Sequence, residues 1–416
     1  LGPAGFGLMG IFSSIIDMAF SLASLGIGSS GVRQVARTAA GGDMREVAVT
    51  ASVLGKTALW LGVLGALLVI VLASPLSVFT FGDTAQTGAI MLLSVAVFFR
   101  VWSAGYGALL QGLRRIREIA LMNVLGTAIG TIATIGLVMA FREDGVVPAL
   151  VASSAAGLVF AVWYVRKYGL PEPPRLSRED YRAEARPLLS LGMTFMVSGF
   201  LIMGAAFLVR AMVLREEGLE AAGFYQAAWT LGGLYVGMVL QAMSADFFPR
   251  LSEVADNDEL TNRYVNEQTE ISLLLAGPGI IGTLALAPLL MVIFYSSDFE
   301  AAVSVLRWIC LGMALRVISW PLGFIVVARA EQRLFLLTEA IWTAANIGLC
   351  YFLITRVGLD GAGMGFLGSY LIHSVMIYFI VRRLSGFRLS TPCGRIIVLY
   401  VLLTAAVFVA LSVLPG

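Results

Sequence analysis

The stretch QTGAIMLLSVAVFFRVWSAGYGALL, residues 86–110, decides the fold. It is apolar for long enough to cross a hydrocarbon core of about 30 Å as a helix. One charge, Arg100, sits near its middle. Similar stretches recur near 4–28, 47–73, 119–141, 145–165, 188–210, 222–245, 271–294, 301–328, 334–355, 361–381 and 394–414, twelve in all. Of the 416 residues 59% are hydrophobic and 13% charged, and the mean hydropathy is +0.89. Such a composition excludes water as the main solvent. A membrane-spanning barrel needs alternating segments of about ten residues, whereas these stretches are apolar on every side, so the spans are read as helices.

Loop charges set the orientation, because Lys and Arg favour the cytoplasmic side of short loops. One set of loops carries Arg33, Arg37, Arg45, Arg114, Arg115, Arg117, Arg166, Lys167, Arg175, Arg178, Arg182, Arg186, Arg250, Arg263, Arg329, Arg333, Arg382, Arg383, Arg388 and Arg395. The opposite set carries only Arg142, Arg210, Arg215 and Arg356. The segment around 166–187 is therefore cytoplasmic, and both chain ends face outward. With a net charge of +2 and basic residues spread by topology, no nucleic-acid partner is expected. Cys310, Cys350 and Cys393 lie in or beside apolar helices without metal-ligand spacing and read as buried thiols. The first stretch is too long for the core of a signal peptide and is not read as a cleaved signal.

The chain repeats itself. LGPAGFG at 1–7 resembles LEAAGFY at 219–225, an offset of 218 that carries Gly5 to Gly223 and Phe6 to Phe224. At an offset of 216, Arg100 and Val101 align with Arg316 and Val317, Arg117 with Arg333, Asp144 and Gly145 with Asp360 and Gly361, and Ser153 with Ser369. Matching segments run in the same direction, so the halves are parallel repeats of the kind that build transporters. The expected fold is all-α and integral to the membrane: two helix bundles around a central cavity, with twelve spans visible. The N-terminal lobe covers 1–165, a cytoplasmic linker 166–187, the C-terminal lobe 188–384, and an additional helix 385–416. A full span precedes LEAAGFY and none precedes LGPAGFG, so a further helix ahead of residue 1 is expected. Pro171, Pro173 and Pro174 cannot continue a helix, while Ser177 to Arg186 suits a short helix on the cytoplasmic surface.

Charges inside apolar helices cost about 2.5–3.5 kcal/mol even on lenient scales, so they face protein or a wet cavity. Arg100 and Arg316, superposed by the repeat, are the foremost substrate-binding candidates. Guanidinium is planar, permanently charged and suited to bidentate phosphate binding. Two readings stand for them: a cationic clamp on an anionic head group, or structural pairing of Arg100 with Asp17 and of Arg316 with Glu339. Lys56 is a further cavity candidate, or a side chain snorkelling to the interface. Asp17 is the candidate for coupling to a proton or sodium ion, with Ser13, Ser14 and Ser21 nearby, or else a structural partner of Arg100 or Lys56. Glu339 and Asn123 are secondary cavity candidates. Arg307 lies nine residues from Arg316, about 180° round the helix, and faces elsewhere. His373 suits an interhelical hydrogen bond or a proton relay. Pro278, Pro288 and Pro321 are potential kinks. No cofactor, metal or catalytic constellation is expected.

LGPAGFGLMG at 1–10 followed by SLGIGSSGVRQVAR, QGLRRIREIALMN at 111–123, FFPRLSEVADNDE at 247–259 and DFEAAVSVLRW at 298–308 occur in that order. Over residues 1–384 the chain resembles the polysaccharide and O-antigen flippases of the multidrug, oligosaccharidyl-lipid and polysaccharide exporter superfamily. The resemblance implies alternating access, ion coupling and a cationic cavity for a polyprenyl-diphosphate-linked oligosaccharide passed to the outer leaflet of a bacterial or archaeal cell membrane. It also implies membrane lipids and a polysaccharide polymerase as partners, and a helix ahead of LGPAGFG. YSSDF at 295–299 departs from the family's usual outer-loop glycine. The competing readings are a cation-coupled exporter of drugs or small amphiphiles, which calls for a more acidic cavity, and a membrane glycosyltransferase or polymerase, which calls for carboxylates or histidines in large outer loops.

Overall fold

A computed structural model describes residues 1–169, 171 and 177–413. Its regular structure is helical: α1 (Pro3–Ala23), α2 (Ile27–Ala40), α3 (Met44–Phe81), α4 (Thr87–Gly112), α5 (Ile116–Phe141), α6 (Val146–Tyr168), α7 (Arg178–Glu253), α8 (Asp258–Ala285), α9 (Ala287–Phe294), α10 (Ala302–Ala328), α11 (Gln332–Val357), α12 (Asp360–Ser385) and α13 (Thr391–Val413). Among the described residues nine helical stretches are long and apolar enough to cross a membrane, and the bent pair α8 and α9 makes a tenth. Two of the nine are compound. Ile116–Tyr168 contains α5 and α6, and α7 is interrupted by non-helical backbone at Gly218 (φ 89°, ψ 179°). The protein is thus an all-α, multi-pass membrane protein with at least nine crossings.

All twelve apolar stretches overlie helices, with three departures from the sequence reading. The first stretch does not run unbroken to residue 28, because Leu25 (φ 44°) and Gly26 (φ 63°) take the left-handed conformation and turn the chain between α1 and α2. The stretch 271–294 bends by 82° between α8 and α9. There Pro288 occupies the first turn of α9, where its missing N–H costs nothing. The charged segment from Arg178 is helical, yet it continues into the following span instead of standing as a separate surface helix. Residues 170 and 172–176 of the linker, including Pro173 and Pro174, lie outside the described residues.

Contacts divide the chain into two units, one of Leu8–Phe207 with Leu1, the other from Leu208 onward with Gly2–Gly7. In the first unit Ile11, Phe12, Ile15, Leu54, Ile90 and Leu93 are buried almost completely. The start of α7 is tied down there, with Gln34 donating to Glu184 at 2.9 Å and the Thr57 and Tyr181 hydroxyls 2.8 Å apart. On α3, Trp60, Leu64, Leu67 and Val71 recur at helical spacing and are 63, 60, 52 and 73% exposed. A helix in water would bury such a stripe; here it is the surface offered to lipid.

In the second unit Phe247, Leu251, Val265, Ile325, Val381 and Phe387 form a buried cluster. The backbone of α1's first turn meets the second arm of α7 so closely that a Cβ on Gly223 would lie 1.9 Å from the Pro3 carbonyl oxygen. Gly223 therefore belongs to a contact that only a residue without a side chain permits. α13 packs against α8 and α10, with Trp308 and Phe408 rings 4.7 Å apart.

The internal repeat is visible as repeated packing. The offset of 216 carries both ends of α5, Ile116 and Phe141, onto the ends of α11, Gln332 and Val357. Within the first unit α3 packs on α4, α4 on α6, and α5 on α6; within the second α8 packs on α10, α10 on α12, and α11 on α12.

Candidate functional site

In the first unit, α1 and α4 bring together the two charges that lie deepest in its apolar helices. Arg100 Nη1 lies 2.5 Å from Asp17 Oδ1, and both side chains are 39% exposed. The guanidinium also stands over the Phe20 ring at 5.1 Å. Asp17 and Phe20 are three residues apart on α1 and so share the face that meets Arg100.

Arg100 borders two cavities. One of about 390 Å³ is lined by Ser13, Ser103, Ser153 and Ser154 among others. The other, of about 400 Å³, includes Asp17, Ser21 and Ser24. A third, of about 460 Å³, adjoins the first through Ser103, Met122, Ser153 and Gly157, and adds Asn123, Thr127, Thr131 and Thr134. Spacings of three and four residues put these last four groups along one side of α5, giving a wall of hydroxyls and an amide beside a single ion pair. Asn123 thus lies on a cavity. Lys56 is exposed on α3 and lines none of these three cavities.

The second unit fills the corresponding positions differently. The offset of 216 takes Arg100 to Arg316, Asn123 to Glu339, Gly126 to Trp342, Ser154 to Tyr370 and Gly157 to His373. Small residues bordering open space in the first unit are replaced by rings in contact. Trp342 and Tyr370 centroids are 5.6 Å apart, Phe366 and Tyr370 4.9 Å, and Tyr370 and His373 5.8 Å. Arg316 acts electrostatically on Glu339, Tyr370 and His373. Among the described residues it has no carboxylate oxygen within 4.0 Å. Its guanidinium contacts the Met313 sulfur at 3.9 Å. Arg307 turns away toward α13 and donates to the Leu411 carbonyl at 3.4 Å.

Arg100 is therefore in contact with Asp17, while Arg316 and Glu339 are without a contact ion pair among the described residues. The sequence reading missed the hydroxyl wall and the ring cluster. The signal was available: the same offset applied to α5 and α11, and to α6 and α12, sets serine and glycine against tyrosine, tryptophan and histidine. Cys310, Cys350 and Cys393 are buried and unbridged, as read.

Comparison with known proteins bears on this arrangement at two levels. A family described as polysaccharide biosynthesis protein matches residues 1–304. The lipid III flippase of Escherichia coli (strain K12) is 23% identical over 382 residues, covering 89% of each chain. A putative O-antigen transporter of Shigella flexneri is 20% identical over 393 residues, covering 92% of this chain and 91% of that one. Among solved structures, an inward-facing multidrug resistance MATE family transporter of the MOP superfamily superposes with a TM-score of 0.73 at 18% identity, over 93% of this chain and 92% of the other. An outward-facing structure of such a transporter gives 0.62 at 17% identity, over 93 and 89%. The fold is that of the MATE transporters.

Proposed function

Because the chain belongs to the polysaccharide biosynthesis protein family, we propose that it moves a polyprenyl-diphosphate-linked oligosaccharide, a unit of O-antigen or another surface polysaccharide, from the inner to the outer leaflet of a cell membrane. The observation that carries the substrate class is Arg316, a permanent cation in an apolar helix with no carboxylate within 4.0 Å among the described residues. A guanidinium at such a place without a contact ion pair is costly unless an anion visits it, and a diphosphate offers the paired oxygens that guanidinium binds in bidentate fashion. The names of the flippase and transporter relatives support the same class.

Arg100 plays the matching part in the first unit, held by Asp17 until that carboxylate takes up a proton or a sodium ion. Neutralising Asp17 weakens its hold on Arg100 and frees the guanidinium for phosphate, which supplies a coupling step. The hydroxyl wall along α5 offers donors and acceptors to neutral sugars. Transport of this kind makes and breaks no covalent bond, and the fold's inward- and outward-facing relatives suit alternating exposure of one site.

The test is a host lacking this protein, given either empty vector or the full-length gene. Lipid-linked oligosaccharide accumulates and surface polysaccharide is lost without the gene, and both reverse with it. Unchanged glycan lipids and surface polymer would overturn the reading in favour of export of drugs or other small amphiphiles.

A further inference from the structure

The corner of the first unit where α5 begins and α6 ends concentrates positive charge. Arg114, Arg115 and Arg117 surround the first residue of α5, Arg166 and Lys167 lie in the last turn of α6, and all five are exposed. The Arg115 guanidinium stands 4.4 Å from the Tyr168 ring centroid, which holds the two helix ends side by side. Glu118 lies 3.8 Å from Arg115. Among the described residues Arg114, Arg117, Arg166 and Lys167 have no carboxylate oxygen within 4.0 Å.

The repeat shows that this charge is not a requirement of the turn. Arg114 has left-handed backbone (φ 56°), and the offset of 216 carries it onto Ala330, which has the same φ. The turn is thus built twice, once with arginine and once without. Arg115 falls on Glu331, so a cation in the first unit answers to a carboxylate in the second. Beside Ala330, Arg329 donates to Asp258 and to the Leu384 carbonyl. The second unit thus neutralises charge at this corner with its own groups, whereas the first, among the described residues, matches only Arg115.

What these cations face is set by the surface that continues from them. Arg117, Leu121, Val124, Ile132, Ile135 and Met139 follow one another at helical spacings on α5 and are all exposed. On α6 Trp163 is exposed, and the Lys167 ammonium lies 5.3 Å from its ring centroid. An amphipathic ring beside a cation marks the boundary between hydrocarbon and water. None of the three cavities includes any of these cations, so a small soluble anion finds no enclosure here. A phospholipid is held at both ends, its phosphate by the cations and its chain by the apolar stripe. We propose that this corner binds one anionic glycerophospholipid of the leaflet it faces, with the phosphate on Arg115, Arg117 and Lys167 and an acyl chain along α5. On the orientation expected from the loop charges, that is the cytoplasmic leaflet. The site does not depend on which cargo the cavities carry.

The experiment titrates the full chain in detergent micelles with dioleoylphosphatidylglycerol or with zwitterionic dioleoylphosphatidylcholine and counts bound lipids by native mass spectrometry. Wild-type protein takes up its first phosphatidylglycerol at a concentration about tenfold or more below that needed for phosphatidylcholine. Arg117→Gln combined with Lys167→Gln loses this preference, and Arg117→Lys combined with Lys167→Arg, which keeps both charges, retains it. Arg382→Gln combined with Arg383→Gln removes the same charge from the second unit and leaves the preference unchanged. Glycerol phosphate, a headgroup without chains, does not displace the bound lipid at the same concentration. Equal uptake of the two lipids by wild-type protein, a preference that survives Arg117→Gln with Lys167→Gln, or an equal loss in the second-unit pair overturns the proposal. Displacement by glycerol phosphate overturns it in favour of a site for soluble phosphates.

Discussion

Arg100 and Arg316 stand 216 residues apart at corresponding places in α4 and α10 and meet different company. Arg100 is bonded to Asp17 at 2.5 Å, whereas Arg316 has Met313 sulfur at 3.9 Å and Glu339 only within electrostatic range. A duplicated position has thus kept its cation and exchanged its counter-charge. In the first unit the carboxylate is on α1; in the second it is on α11, where the first has Asn123.

The unpaired cation is expected to matter most for transport. Arg316→Gln reduces restored surface polysaccharide about tenfold or more, the worth of a charge-assisted hydrogen bond of roughly 1.5–3 kcal/mol. Arg316→Lys keeps the charge but loses the planar fork and falls between the two. Quantifying surface polymer at matched protein levels reads both.

Asp17→Asn separates a coupling role from a structural one. The pair is more than a third exposed, so solvent screening limits its contribution to stability to about 0–1 kcal/mol. The melting temperature of Asp17→Asn in detergent is expected to stay close to wild type, while transport loses its dependence on the pH or sodium gradient. A large fall in melting temperature together with gradient-dependent transport would make Asp17 a structural partner only.

Gly223→Ala tests the backbone contact with Pro3. A methyl group there meets a carbonyl oxygen rather than a flexible side chain, so relief requires the helices to part, at about 1–3 kcal/mol. Thermal unfolding in detergent is expected to shift down for Gly223→Ala and to remain unchanged for Gly204→Ala, where nothing lies within 4 Å of the added carbon.

The exposed stripe of α3 is assigned to lipid. Leu67→Asp places a carboxylate on that face at about 2.5–3.5 kcal/mol, and the expected result is a sharp fall in the membrane-integrated fraction. Leu67→Phe, still apolar, leaves that fraction unchanged.

Cytoplasmic and outer loops are distinguishable by labelling, since the native cysteines are buried. Cysteine in place of Gly42, between α2 and α3, is expected to react only after the membrane is permeabilised, and cysteine in place of Asp83, between α3 and α4, in intact cells. The reverse pattern would invert the orientation derived from Lys and Arg.

Sequence alone determined that this chain lives in a membrane as a bundle of helices, that its halves repeat, and which charges lie within the apolar stretches, and it supplied the expected orientation of the loops. Each follows from local information: apolar length, loop charge, and the demand that a backbone in lipid bond to itself. Tertiary structure alone decided that Arg100 meets Asp17 while Arg316 meets no carboxylate among the described residues, that the chain turns at Leu25 and Gly26, and that hydroxyl-lined space in one unit corresponds to packed rings in the other. Helices that are apolar all round carry no periodicity to fix their rotation, so which face meets which neighbour is set by side-chain fit between helices and not by hydropathy along one of them.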